Sequence, residues 1–364
     1  MRYITEFRSS ELGEGLVARI KERSKKRARF MEFCGGHTVT IFRYGIRQLL
    51  PPTIEMVSGP GCPICVTPNA DLDKAIALSQ IPGVIIATFG DMLKVPGSYS
   101  SLEKAKASGA EVRTVYSTLD ALDIAESNPD SSVVFLGIGF ETTAPTVAAS
   151  ILQAEEKGLG NYSVLSLHKV CPPVIRALLD SGEVELQGLV CPGHVSAVIG
   201  SRPWEFIAKE YGIPCVVSGF EPLDILQCVE MLVNQVENGK AQVEIAYRRG
   251  GRPEGNRQAL KLMRQVFEPR PALWRGMGGV PGSGLKLRRK YQRFDAELAF
   301  DIRPVPTREP AGCICGDILR GVKTPADCKL FGKVCTPENP VGPCMVSSEG
   351  SCSAAYLYGA GFEG

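Results

Sequence analysis

Val133-Val134-Phe135-Leu136-Gly137-Ile138, followed after Gly139-Phe140-Glu141-Thr142 by the helical pattern Thr143–Lys157, is the stretch that decides the fold. A run this short and this continuously apolar reads as a strand covered on both faces. A helix directly after it reads as a crossover to a parallel neighbour. The same texture precedes it at Phe30–Cys34, Ile54–Ser58, Val84–Phe89 and Val112–Tyr116, and follows it at Ser163–Leu167, Leu186–Cys191 and Cys215–Ser218. Helical segments such as Asn69–Gln80 suit the connections. The expectation is an α/β protein with two similar parallel-sheet domains of four strands each, over residues 1–128 and 129–240. Beyond the helical stretch Pro222–Glu237 the chain grows richer in Gly, Pro and Arg and ends in clustered cysteines, so residues 241–364 are expected to form a third, irregular and partly helical domain held by something other than a large core.

A weak internal echo accompanies the strand pattern. Cys34-Gly35-Gly36-His37 is matched by Cys191-Pro192-Gly193-His194, and Ser58-Gly59-Pro60-Gly61 by Ser218-Gly219-Phe220-Glu221. It suggests two related halves, and it puts glycine beside a thiol or polar group at several strand carboxyl ends, the edge at which open parallel sheets bind ligands.

The 364 residues, 44% hydrophobic and 22% charged, are those of an ordinary globular protein of two or three domains. A net charge of +2 selects neither nucleic acid nor an acidic membrane as partner, and the basic run Lys21–Arg29 reads as the solvated face of an N-terminal helix. No secretory signal pattern and no stretch of roughly 18 apolar residues is present, so a cytoplasmic location is expected. In that reducing setting, 13 cysteines against 3 histidines argue for metal binding or thiol chemistry rather than a disulfide framework.

Six cysteines (313, 315, 328, 335, 344 and 352) fall in the C-terminal segment, with no histidine after His194. The spacing C-x12-C-x6-C-x16-C from Cys315 through Cys328, Cys335 and Cys352 suits four thiolates on zinc or on an iron–sulfur cluster. The absence of close C-x2–4-C pairs among these four favours [4Fe-4S], while spacing alone does not separate Cys315 from Cys313. Cys62-Pro63-Ile64-Cys65, after a strand and before a helix, reads as a redox dithiol, with inert buried thiols or half of a zinc site as alternatives. Phe33-Cys34-Gly35-Gly36-His37-Thr38 puts a soft thiolate and an imidazole where both can face one iron, or where they can act as a nucleophilic pair. Asp91, Glu141, Thr142, Thr143, His194 and Glu349 lie in short glycine-bracketed loops and suit ligand orientation, with helix capping the alternative for Asp91, Thr142 and Thr143. Cys171, Cys191, Cys215 and Cys228 read as small buried hydrophobes.

Taken together, FCGGHT (33–38), GPGCPIC (59–65), FGDMLKVPGS (89–98), GFETTAPT (139–146), PGHVS (192–196), GFEPLD (219–224), YQRFDAE (291–297) and MVSSEG (345–350) with Cys352 resemble the HypD hydrogenase-maturation family almost end to end. The resemblance implies a maturation scaffold with redox activity rather than a conventional turnover enzyme. Such a protein binds HypC stably, receives cyanide from the C-terminus of HypE, a thiocyanate-like donor, and assembles the Fe(CN)2(CO) unit of [NiFe]-hydrogenase. It also implies that Cys34 is the iron-binding thiolate with His37 beside it, and that Cys62 and Cys65 are iron ligands or a redox pair. Cys315, Cys328, Cys335 and Cys352 are implied as the [4Fe-4S] ligands, with Cys313 and Cys344 outside the cluster. A cytosolic iron–sulfur thiol–disulfide oxidoreductase is the alternative function.

Overall fold

The computed structural model describes residues 5–303 and 305–359. Eleven strands are present among them: β1 (Ala28–Glu32), β2 (Ile54–Ser58), β3 (Val84–Thr88), β4 (Glu111–Thr114), β5 (Ser132–Gly137), β6 (Tyr162–Ser166), β7 (Gly188–Pro192), β8 (Cys215–Ser218), β9 (Val243–Ile245), β10 (Phe267–Trp274) and β11 (Gly278–Leu287). The apolar runs are strands as expected, and β3, β6, β7 and β8 are buried at every position. Helices cover the faces that these side chains need to leave water. The long helix Pro222–Glu237 packs Ile225, Leu226, Val229, Leu232 and Val233 into the core beneath β7 and β8.

The first eight strands divide differently from the expectation of two consecutive sets of four. One all-parallel sheet has the order β2-β1-β7-β8-β9 and takes strands from both ends of this region. The other, β4-β3-β5-β6, is formed by the residues between. The expected boundary at 128 falls between β4 and β5, which both pair with β3, and the boundary at 240 falls just before β9, which pairs with β8. Strand identity is local and was legible, but the choice of neighbour in a parallel sheet is made by crossovers that leave no mark in the strand's own residues.

Both sheets nonetheless wind alike. In each, the first strand is flanked on one side by the second and on the other by the third, giving the doubly wound order 2-1-3-4. The switch point lies between β1 and β7 in the five-stranded sheet and between β3 and β5 in the four-stranded one. Open α/β sheets bind ligands just outside the strand carboxyl ends at such a point. The echo of Cys34-Gly35-Gly36-His37 in Cys191-Pro192-Gly193-His194 therefore marks the two loops of one switch point rather than equivalent loops of two halves.

Residues after 240 do not gather into a single unit. β9 completes the five-stranded sheet, and the helix Arg257–Val266 packs on the helix Ala144–Glu156. The antiparallel hairpin β10–β11 bridges to residue 169 through Gly284. Its register shifts between Arg270 and Ala272, around Pro271, which has no N–H to offer a ladder. The segment holding the six C-terminal cysteines has only short helices, at Cys315–Leu319, Pro343–Val346 and Ser351–Tyr358. Its buried residues share one core with Phe33, Cys62, Cys65, Trp204 and Trp274, so it is packed directly against the ends of the strands.

Candidate functional site

β1 ends at Glu32, Phe33 is buried, and Cys34 adopts extended backbone (φ −144°, ψ 123°) as it caps the helix Gly35–Arg43. The Cys34 N–H donates to Glu32 Oε2 at 3.0 Å, and the Thr38 hydroxyl donates to Glu32 Oε1 at 2.5 Å. Glu32 is only 1% exposed, and burial raises its carboxyl pKa against the opposing effect of these bonds. The half-buried Arg47 guanidinium, stacked over Phe42 at 4.3 Å, supplies a favourable charge nearby. Glu32 was not among the expected site residues; its one signal was a carboxylate inside the otherwise apolar run Phe30–Cys34.

Two further segments close on Cys34. Gly35 donates its N–H to Gly61 O at 3.0 Å, and Gly59 donates to Glu32 O at 2.6 Å. Glu349 lies on Gly35: a Cβ there would stand 2.4 Å from Glu349 Cβ and 3.0 Å from its Oε2, so only glycine fits. The helix Ser351–Tyr358, which follows Glu349, packs along Gly35–Arg43. Burial first, then the negative charges of Glu349 and Glu32, push the Cys34 thiol up to about 12. Without a cation it is a thiol at neutral pH; a metal ion at the sulfur opposes all three causes, so two carboxylates around one soft donor make a place for a cation.

His37 is fully buried, with Nε2 3.3 Å from Ser218 O and Nδ1 without a partner. Burial lowers its pKa to about 4, so the ring is neutral. The Ser218 carbonyl calls for a proton on Nε2, which leaves the Nδ1 lone pair free. His37 and the exposed His194 both stack on Phe220, with ring centroids 4.8 Å and 3.8 Å away. Phe220 in turn lies where a Cβ on Gly36 would be. The loops after β1, β7 and β8 thus meet at this ring.

Cys62 and Cys65 are joined as a disulfide, with Cα atoms 5.2 Å apart, and both are buried. Cys62 caps the short helix Pro63–Val66, its Sγ accepting from Cys65 N–H at 3.2 Å. Buried Arg275, at the tip of the hairpin, fixes the following backbone by donating to Cys65 O (3.0 Å), Thr67 O (2.8 Å) and Asn69 Oδ1 (2.8 Å), and pairs with Glu309. Cys65 Sγ lies 3.9 Å from Pro343 O, which brings the dithiol beside the C-terminal cysteines.

All six of those cysteines line one cavity, with Ile318, Leu330, Phe331 and Met345 among its apolar walls. Within it Cys315 Sγ and Cys344 Sγ are 2.7 Å apart. Cys315 is the more acidic of the pair because Cys344 donates to it and Arg275 lies near, and Cys344 is raised correspondingly. Cys344, left aside in the sequence, stands between Cys315 and Cys352. Among the described residues no three His, Cys, Asp or Glu side chains stand in a metal-holding arrangement. The donor chemistry nevertheless fits a thiolate-bound cluster, since the cavity is apolar and sulfur is the only ligating element in its lining.

The four-stranded sheet supplies the opposite wall. Asp91, in the 3-10 turn Gly90–Lys94 after β3, adds to the negative charge felt by Glu349. Glu141, after β5, accepts the Cys171 N–H on Oε1 at 2.8 Å, and its Oε2 has no partner. Burial lifts its pKa to about 7. Cys171 lies within electrostatic reach of both Glu141 and Cys34. Thr142 is half-buried in the same loop. Thr143 occupies the N-cap position of the helix Ala144–Glu156, yet its hydroxyl donates backwards to Ile138 O at 3.1 Å instead of capping.

The match to the HypD family, described as "Hydrogenase formation hypA family", runs over residues 11–359. The chain belongs to the HypD family. It is 50% identical over 369 residues to the hydrogenase maturation factor HypD2 of Bradyrhizobium diazoefficiens, covering 99% of this chain and 97% of the relative. It is 49% identical to the hydrogenase maturation factor HypD of Cupriavidus necator, with the same coverage. To that of Rhodobacter capsulatus it is 47% identical over 371 residues, covering 99% and 98%. This member of the HypD family is therefore a hydrogenase maturation factor. Among its described residues no helix is long and apolar enough to cross a membrane.

Proposed function

We propose that the chain is a cytoplasmic scaffold on which, together with HypC, the Fe(CN)2(CO) unit of [NiFe]-hydrogenase is assembled, with cyanide delivered by HypE. The iron is cargo, received at Cys34. The observation that carries this reading is the enclosure of Cys34 by the Gly59–Cys65 loop, by Glu349 and by the neutral His37 within one switch point. A thiolate is soft enough to hold low-spin Fe(II) bearing cyanide and carbon monoxide, and labile enough to release it.

Release of cyanide from a thiocyanate donor takes two electrons, and the reduced Cys62/Cys65 pair holds two. R–S–C≡N and the two thiols give R–SH, HCN and the Cys62–Cys65 disulfide. The S–C bond breaks and an S–S bond forms; one thiol proton goes to the leaving sulfur and the other to cyanide. In the reduced state the same two sulfurs are available as further iron ligands. Cys328, Cys335 and Cys352 would hold a [4Fe-4S] cluster together with one of Cys313 and Cys315. When bound, the cluster supplies one-electron reducing equivalents close to the dithiol. Hydrogen bonding from Cys344 and the charge of Arg275 hold the Cys315 thiol down, whereas burial pushes Cys313 up to about 12, which favours Cys315, the choice implied by the resemblance, as the fourth ligand.

Infrared spectra of the protein purified with its maturation partners test the scaffold reading. Cyanide and carbon monoxide stretching bands are expected, and Cys34→Ala removes them. Thiol–disulfide exchange with no such bands would establish the oxidoreductase reading instead. Iron content and the broad absorption near roughly 400 nm typical of iron–sulfur proteins test the ligand set: Cys315→Ala is expected to lose both and Cys313→Ala to keep them, and the reverse result assigns Cys313 instead.

A further inference from the structure

Charge is distributed very unevenly in this nearly neutral chain. Between Arg248 and Arg293 there are 13 Lys and Arg residues and 2 Asp and Glu, whereas the whole chain has a net charge of only +2. Part of this excess is organised on the helix Arg257–Val266. Ala259, Met263 and Val266 are buried, while Arg257, Lys261 and Arg264 are exposed at i, i+4 and i+7 on the other side, and among the described residues none of the three forms an ion pair. Like charges at this spacing repel one another along a helix, a cost that carboxylates on a partner would reverse.

These cations border a groove of about 720 Å3 whose floor includes Ile199, Pro203 and Leu260. Its walls are fixed by backbone. Asn256 donates its N–H to Val198 O at 2.9 Å and its side chain caps the helix through Ala259 N at 3.0 Å. Gly200 and Gly255 both have positive φ, and a Cβ on either would fall within 2.3 Å of a carbonyl oxygen across the contact. The acidic residue of the lining, Glu254, is paired with Arg202 at 2.8 Å.

We propose that this groove is a docking surface for an acidic segment of a partner protein, with apolar side chains seated on the floor and carboxylates against Arg257, Lys261 and Arg264. The three unpaired cations of one helix, set beside an apolar trough, match a strip of alternating character. Nucleic acid is disfavoured because no aromatic side chain is available in the lining to stack a base. The groove is linked to the candidate site by one helix: Ile199 ends the helix that begins at Gly193-His194, about 8 Å along its axis from the residue whose imidazole stacks on Phe220.

The test uses the intact protein and a labelled peptide, (Glu-Glu-Leu)4, followed by fluorescence anisotropy at low and high salt. Its (Gln-Gln-Leu)4 counterpart and a 12-nucleotide single-stranded RNA are the comparators. Binding of the acidic peptide is expected to weaken with salt, and on the order of tenfold or more in the triple variant Arg257→Glu, Lys261→Glu, Arg264→Glu. A matched reversal at Lys323, Lys329 and Lys333 should leave it unchanged, and hydrogen exchange should slow over residues 257–265. The proposal falls if the acidic peptide does not bind at low salt, if the glutamine peptide or the RNA binds as tightly, or if the groove reversal has no effect.

Discussion

The backbone of Gly61 runs so close to that of Cys34 that a methyl group on Gly61 would stand 2.2 Å from the Cys34 nitrogen. Backbone cannot yield as a flexible side chain can, so Gly61→Ala must separate the two loops. It is expected to destabilise the protein by about 1–3 kcal/mol in urea unfolding and to make Cys34 alkylate faster than in the parent. Unchanged stability and unchanged alkylation together would mean that the loops are not locked.

Glu349 bears on the Cys34 thiol through charge. Its carboxylate is one of the causes that push the thiol up to about 12, so Glu349→Gln should lower that pKa and increase the thiolate present at mildly alkaline pH. Alkylation of Cys34 at pH 8.5, read by mass spectrometry, is expected to quicken by roughly threefold to tenfold. A slower reaction would contradict the assignment.

His168 makes the stability acid-sensitive. It is buried, its Nδ1 lies 3.1 Å from Ser166 Oγ, its Nε2 has no partner, and burial with Lys169 and Arg270 nearby lowers its pKa from 6.5 to about 3. A depressed imidazole pKa contributes stability that is present above pH 6.5 and is lost as pH falls toward 3, up to about 5 kcal/mol for this one group. His168→Asn should be less stable at pH 7 yet lose less stability between pH 6.5 and 4. The raised carboxyls Glu141 and Glu349 act in the opposite direction but are common to both proteins, so the difference in slope isolates His168.

Arg275 holds the backbone after the dithiol with three hydrogen bonds and a carboxylate. Arg275→Met keeps the bulk but leaves those acceptors buried and unpaired, at a cost of about 3 kcal/mol. Amide exchange at residues 65–69 should quicken beyond the global change, and uniform quickening would assign Arg275 a purely general role.

Much of this was readable from local pattern. Each apolar run became a strand to within two residues at either end, and the glycine-bracketed motifs, that of Glu349 apart, fell at strand carboxyl ends, where Cys34, Cys62, His194 and Glu141 now stand. What could not be read was non-local. Nothing in Ala28–Glu32 says that its second neighbour is β7 rather than β3, and nothing near Cys344 says that its sulfur meets that of Cys315, 29 residues away. Glu32 escaped for a related reason, since a buried carboxylate is justified only by partners that include the Thr38 hydroxyl and the charge of Arg47.

The five-stranded sheet also carries a schedule. β1 and β2 leave the ribosome well ahead of β7, with residues 59–187 made in between, while β3 to β6 emerge as one uninterrupted block. The central block can therefore fold during synthesis, whereas β1 exposes one hydrogen-bonding edge until β7 arrives. Because Cys34 follows β1 and its loop is completed only by residues after β7 and β8, the nascent chain cannot shape early the pocket proposed above to receive iron. On that proposal, premature capture of iron by a half-made protein is disfavoured by the order in which the strands appear.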